Sequence, residues 1–192
     1  MDFDDVALCY LFMQAGGGDE KEKTAEFNEL EKVVKLPDWE SVQLSEFKKE
    51  FKKKEVAQKK ISEVLPEYAE RYASSSSSFS SLMKEYGIGS NDEGEERGLT
   101  VLWWLIRLSY TSEKRSEFDD TFIQSFASKM KIDESYVQEM KDTMESFLLI
   151  EKKPQWAESE NLSDSEMAEI NRQCKEDKDV LNDSIYDLVY LG

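Results

Sequence analysis

Histidine is absent from this chain of 192 residues. Without an imidazole, Ser-His-Asp and Cys-His catalytic arrangements cannot form, and zinc sites that contain histidine are excluded. Carboxylate pairs could still perform acid-base chemistry, but with 42 acidic residues a pair at any spacing is expected by chance. The one glycine run is not followed by the Lys and Ser or Thr of a phosphate-binding P-loop. We therefore expect no enzymatic activity, and a carboxylate-based hydrolase is the weakest function class.

Cysteine is also scarce, with two residues in the whole sequence. Cys9 and Cys174 both lie in apolar helical patterns, so we expect small core side chains rather than a disulfide scaffold. This usage favours a reducing compartment, and we predict the cytoplasm. Residues 1–13 are partly apolar, but they open with acidic residues, lack a signal-peptide cleavage site and are too few to span a bilayer. We expect a core helix there.

Positive charge is scarce as well, because 25 basic residues stand against 42 acidic ones and the net charge is −17. Binding to a nucleic-acid backbone depends on Lys and Arg, so neither nucleic acid nor an anionic membrane is an expected partner. Aromatic residues make up 11% of the sequence, which argues against an acidic disordered chain. A protein partner with a basic surface is the expectation, and the oligomeric state is left open.

Alternating strand patterns bounded by tight turns are nearly missing, whereas apolar residues recur at the spacing of a helix. The pattern predicts an all-α fold, a multi-helix bundle. The clearest stripes are Phe27, Leu30, Val33 and Val34; Phe118, Phe122, Phe126 and Met130; and Val137, Met140, Met144, Phe147 and Leu148.

The glycine-rich and acidic stretch before residue 99 divides the chain. We predict an N-terminal helical half at 1–86, a loop at 87–98, and a C-terminal half with a C-terminal helix at 99–192. With an offset of 95, Val6 falls on Val101, and several other apolar positions match too. This indicates two similar halves packed together, although chance similarity between two amphipathic helix pairs is the alternative.

Two features of the second half allow two interpretations each. Trp103 and Trp104 point about 100 degrees apart on a helix, so either both are buried in a central helix or one anchors a partner. Ser163 and Glu166 have capping-box spacing and predict the start of the last helix. That helix either packs on the common core or forms a detachable arm that binds another chain.

The sequence from Leu99 to Met140 resembles the TerB-like family, named for tellurite-resistance protein B. It has an apolar helix, a short acidic turn, a second helix, and then Lys131, Ile132 and Asp133 leading into a third. Residues 3–36 repeat the first two elements more faintly, which would make two tandem degenerate copies. The resemblance implies an all-helical bundle linked to stress responses, and in some members acidic turns that hold divalent cations.

The turns depart from the family pattern, in which Ala-Asp-Gly precedes a Glu. Here the glycines come before the acid, and the second turn has neither the Asp nor the Gly. The spacing does not match a calcium loop, so we expect the acids to complement a helix N-terminus. If a cation does bind, its candidate ligands are Asp19, Glu20, Glu113 and Glu117.

These observations favour a non-enzymatic, acidic helical interaction module with no cofactor. The alternative is a divalent-cation-binding stress protein that uses the two acidic turns.

Overall fold

The computed structural model describes residues 1–16, 20–73, 93–111, 116–160 and 162–190. Within these ranges every regular element is an α-helix, and no strand occurs, so the predicted all-α bundle is confirmed. The eight described helices are α1 (Phe3–Ala15), α2 (Glu20–Val34), α3 (Asp38–Glu50), α4 (Lys54–Ala73), α5 (Glu93–Tyr110), α6 (Glu117–Met130), α7 (Glu134–Ser159) and α8 (Asp164–Tyr190).

Helices α7 and α8 begin where the sequence supplies capping side chains. Asp133 accepts the amide of Ser135 at 2.8 Å and so caps the start of α7. Ser163 and Glu166 exchange side-chain to backbone hydrogen bonds at 2.9 and 3.4 Å, so the predicted capping box is confirmed. Local side chains thus fix the starts of α7 and α8.

The centre of the bundle is formed by α1 and α5. Every residue from Val6 to Met13 is buried, so α1 is covered on nearly all sides. Trp103 and Trp104 are 9% and 6% exposed, which confirms that α5 is a central helix. Buried residues of both predicted halves belong to a single hydrophobic cluster.

The predicted loop at 87–98 differs from the structure over its second part. Residues 87–92 lie outside the described residues, but α5 already begins at Glu93. Acidic residues suit the first turn of a helix. Gly98 lies inside this helix at a place where space is short. A Cβ there would lie 3.3 Å from the side chains of Met130 and Ile132.

The two halves correspond in part under the offset of 95. Ala15 ends α1 and Tyr110 ends α5 at matching places, whereas α2 begins at Glu20 and α6 begins at Glu117, two residues later than the offset gives. Duplication of one ancestral unit, and the boundaries of the two halves, stay predictions.

The last two helices form an antiparallel hairpin. Helix α8 runs without a break through its polar middle, and Ile185 and Val189 join the main hydrophobic cluster. Farther out, Ile150, Ala157 and Cys174 are buried between α7 and α8, outside that cluster. Cys9 is buried in the centre, and both cysteines are free thiols. Burial and the nearby Asp5 charge raise the pKa of the Cys9 thiol well above its usual value.

None of the described helices combines the length and the apolar character that crossing a bilayer requires.

Candidate binding groove

A cavity of about 600 Å³, called the groove below, opens between α2, α5, α7 and α8. Its lining combines an apolar floor with a rim of charged side chains. Because α2 and α5 are remote in sequence from each other and from the α7–α8 hairpin, the cavity exists only in the folded chain.

The floor of the groove is built by side chains at helical spacing. Met144, Phe147 and Leu148 occupy one face of α7, and Trp103 meets them from α5. The ring centroids of Trp103 and Phe147 are 6.3 Å apart, and the two ring planes make an angle of 45°. This floor offers aromatic and thioether surface to an apolar ligand group.

The rim is mostly acidic. Glu22, Glu26 and Glu29 are four and then three residues apart, so they line one face of α2, and Glu151 faces them from α7. Among the described lining residues the cations are Arg107 and Lys178, and Lys178 pairs with Glu151 at 3.0 Å. These residues thus place four carboxylates against two cations, which is an excess of negative charge.

The Glu26 carboxylate is the most distinctive group of the rim. Its Oε1 lies 2.6 Å from Nε of Arg107, whose guanidinium also lies 4.4 Å from the ring centroid of Trp104. The N–H of Arg107 does not point at this oxygen, and among the described residues the buried Oε1 accepts no hydrogen bond. Glu26 is therefore ion-paired with Arg107 at the edge of the apolar floor, and 20% of its side chain is exposed.

Of the four residues predicted to bind a cation, the two that the structure describes, Glu20 and Glu117, are not in the lining of the groove. Asp19 and Glu113 are outside the described residues. Glu20 is exposed at the start of α2, and Glu117 is exposed at the start of α6. In the described parts of the chain, no cluster of three or more acidic or cysteine side chains is arranged to hold a metal ion.

The acids that follow the glycines do lie where a helix needs negative charge. Glu20 and Glu22 belong to the first turn of α2, so this part of the turn prediction is confirmed. Whether any cation binds stays a prediction.

The sequence reasoning missed a buried polar network that joins α1, α4 and α5. Asp5 is completely buried, and its Oδ1 accepts from the hydroxyl of Tyr68 at 2.6 Å and from Nε of Arg97 at 2.9 Å. Its Oδ2 accepts the amide of Asp2 at 2.7 Å, which completes a capping box at the start of α1. Burial raises the pKa of Asp5, and the Tyr68 hydroxyl and the Arg97 charge offset part of this rise.

A second buried pair was missed as well, between α2 and α6. Nζ of Lys23 lies 3.6 Å from Oδ2 of Asp119, and the two side chains are 3% and 0% exposed. Asp119 also closes a capping box with Ser116 at the start of α6. Burial lowers the pKa of Lys23, and Asp119 offsets part of that change.

Both missed aspartates share one detectable sequence signal. Asp5 follows Asp2 by three residues, and Asp119 follows Ser116 by three, so each has the spacing of a capping box. The signal locates a helix start, but it does not say that the acid is buried.

Gly16 lies directly against the Lys23–Asp119 pair. A Cβ at this position would approach Oδ1 of Asp119 to 2.2 Å and Nζ of Lys23 to 2.8 Å, so the pair would have to move. The backbone of Gly16 is extended, with φ −73°, and the need for glycine is therefore one of space.

We expect Gly16→Ala to lower the free energy of unfolding by about 1 to 3 kcal/mol, the usual cost of overpacking. Urea denaturation of the variant and of the parent protein measures the difference. An unchanged midpoint would show that the buried pair can shift without cost.

Comparisons with known proteins identify no relative: no family model, no curated protein and no solved structure matches this chain.

Proposed function

We propose that this protein is a non-enzymatic interaction module whose groove binds a basic, amphipathic segment of a protein partner. The observation that carries the proposal is the position of Glu26, a partly exposed carboxylate, beside an apolar floor and next to Glu22 and Glu29. An incoming ammonium or guanidinium group would add a second cation to this group of carboxylates.

The chemistry of the lining defines the partner. Lys and Arg side chains carry a charged end on a long apolar stem. Their stems can lie on Trp103 and Phe147 while the charged ends reach Glu26 and Glu29. A segment that alternates basic and apolar side chains along one face therefore matches both parts of the groove.

The net charge of the protein also favours a basic partner. A net charge of −17 attracts basic partners over a distance of several ångströms and speeds their encounter. The same charge repels nucleic-acid phosphates. The proposed partner is accordingly a protein with a basic surface.

The TerB-like assignment and the link to stress responses belong to this proposal. Their support is the order of the elements from α5 onward, in which α7 begins directly after Asp133, as the pattern requires. The cation-binding alternative has no comparable support in the described residues.

The test is a titration with a fluorescein-labelled helical peptide that carries Arg at one-turn spacing beside Leu, followed by fluorescence anisotropy. We expect saturable binding that weakens with rising salt. Glu26→Gln should reduce the affinity about tenfold, because it removes a desolvated charge partner of the peptide.

The matched control is Glu46→Gln, which removes one exposed carboxylate on α3 outside the groove. It should leave the affinity within about twofold of the parent value, as expected for a screened surface charge. Equal weakening in both variants would mean nonspecific attraction to an acidic surface. Absence of saturable binding would refute the proposal.

A further inference from the structure

We propose a second binding site, for a small phosphate-type oxyanion, at the junction of the end of α1 with the starts of α2 and α4. A cavity of about 270 Å³ lies there, lined by Met13, Gln14, Gly16, Glu20, Lys23, Thr24, Lys52 and Lys54. The site shares no residue with the groove and does not rest on the function proposed for it.

The lining is basic in an otherwise strongly acidic protein. Lys23, Lys52 and Lys54 contribute three ammonium groups, and Glu20 is the single carboxylate among the described residues of the lining. The charge of Lys54 is close enough to Lys23 to lower its pKa further, which places two like charges at one cavity. Converging like charges are unfavourable unless an anion neutralises them.

Lys23 gives an independent sign of a missing ligand. Its side chain is 3% exposed, it lines the cavity, and its Nζ makes no hydrogen bond with any described residue. An ammonium group has three N–H donors, and leaving them unused when buried is costly. An oxyanion in the cavity would accept from them.

The ion pair with Asp119 does not remove this need. At 3.6 Å, Oδ2 of Asp119 compensates the charge of Lys23 but is too distant for a normal hydrogen bond. Asp119 lies directly against Gly16 and is not among the described residues that line the cavity. Lys52 and Lys54 consequently keep an excess of positive charge on the open side.

Two helix starts add to the attraction for an anion. Helix α2 begins at Glu20 and α4 begins at Lys54, and both residues line the cavity. The first amides of a helix have no acceptor within the helix, and its N-terminus carries partial positive charge.

Phosphate suits this arrangement better than a carboxylate. It offers several acceptor oxygens in a tetrahedral array and carries between one and two negative charges at neutral pH. Since a water molecule takes about 30 Å³ of the liquid, the cavity has room for phosphate or pyrophosphate.

The test is isothermal titration of the full chain with sodium phosphate and with sodium pyrophosphate, at constant ionic strength. We expect saturable binding with one site per chain. Lys54→Gln and Lys52→Gln should each weaken it about fivefold or more, because each removes a charged donor. Both lysines are exposed, so these variants should fold.

The matched control is Lys49→Gln, which removes an exposed lysine outside the cavity and should leave the affinity unchanged. Glu26→Gln should leave it unchanged too, which separates this site from the groove. Absence of saturable binding to both anions would overturn the proposal. So would equal weakening by Lys49→Gln, or tighter binding of malonate, a dicarboxylate, than of phosphate.

Discussion

Replacing Asp5 by Ala is expected to lower the free energy of unfolding by about 3 to 5 kcal/mol, the usual cost of breaking a buried ion pair. Asp5 is completely buried and accepts from Tyr68, Arg97 and the backbone amide of Asp2. The substitution would leave the Tyr68 hydroxyl and part of the Arg97 guanidinium without an acceptor inside the core. Helix α1 would lose its capping box in the same step.

Asp5→Asn separates the carboxylate's shape from its charge. The amide keeps one acceptor oxygen for Tyr68 and Arg97, but its NH₂ group cannot accept the amide of Asp2. Burial raises the pKa of Asp5, so the negative charge itself is disfavoured in the folded protein. We therefore expect Asp5→Asn to cost less than Asp5→Ala.

The raised pKa also predicts a pH dependence. The folded state holds the Asp5 proton more tightly than the unfolded state, whose pKa is near 3.8. This tighter binding of the Asp5 proton adds to the free energy of unfolding. The addition is fully present below pH 3.8 and is lost as the pH rises through the higher pKa of Asp5 in the folded protein. Across that range the parent protein should lose stability relative to Asp5→Asn.

Urea denaturation followed by circular dichroism measures all three proteins. If Asp5→Ala unfolds at the parent midpoint, the network does not hold α1, α4 and α5 together. If Asp5→Asn costs as much as Asp5→Ala, the charge matters more than the hydrogen bonds.

The helices could be predicted from the sequence because local signals determine them. Asp133 and Ser163 start helices with their own side chains, and the apolar pair Trp103 and Trp104 requires a helix covered on most sides. One residue of the predicted apolar stripe of α2 is wrong. Val33 lies near the end of this helix and is 66% exposed.

The polar centres could not be predicted because their partners are remote in sequence. Asp5 is one of several acids near the start of the sequence, and no neighbouring residue indicates that Arg97 donates to it. Lys23 lies in a charged segment that is typical of an exposed face, yet it is 3% exposed. In the groove, Glu26 meets Arg107 only after α2 packs on α5. Burial of a charge is decided by tertiary packing.

The Lys23–Asp119 pair is expected to behave as a coupled unit. Asp119→Asn leaves a buried ammonium group without its counter-charge, and Lys23→Met leaves a buried carboxylate. Each single variant should lose about 3 to 5 kcal/mol of unfolding free energy. The double variant contains neither charge and should unfold within about 2 kcal/mol of the parent protein, since neutral replacement of a buried pair is often tolerated.

Alkaline pH provides a second measurement on Asp119→Asn. The pKa of Lys23 is lowered in the folded protein from an ordinary value of 10.5, so above the folded pKa the unfolded state binds more protons. Relative to the double variant, which lacks this lysine, Asp119→Asn should therefore gain stability as the pH rises toward 10.5. A constant difference between the two variants, or a double variant whose loss equals the sum of the single losses, would show that the two charges do not depend on each other.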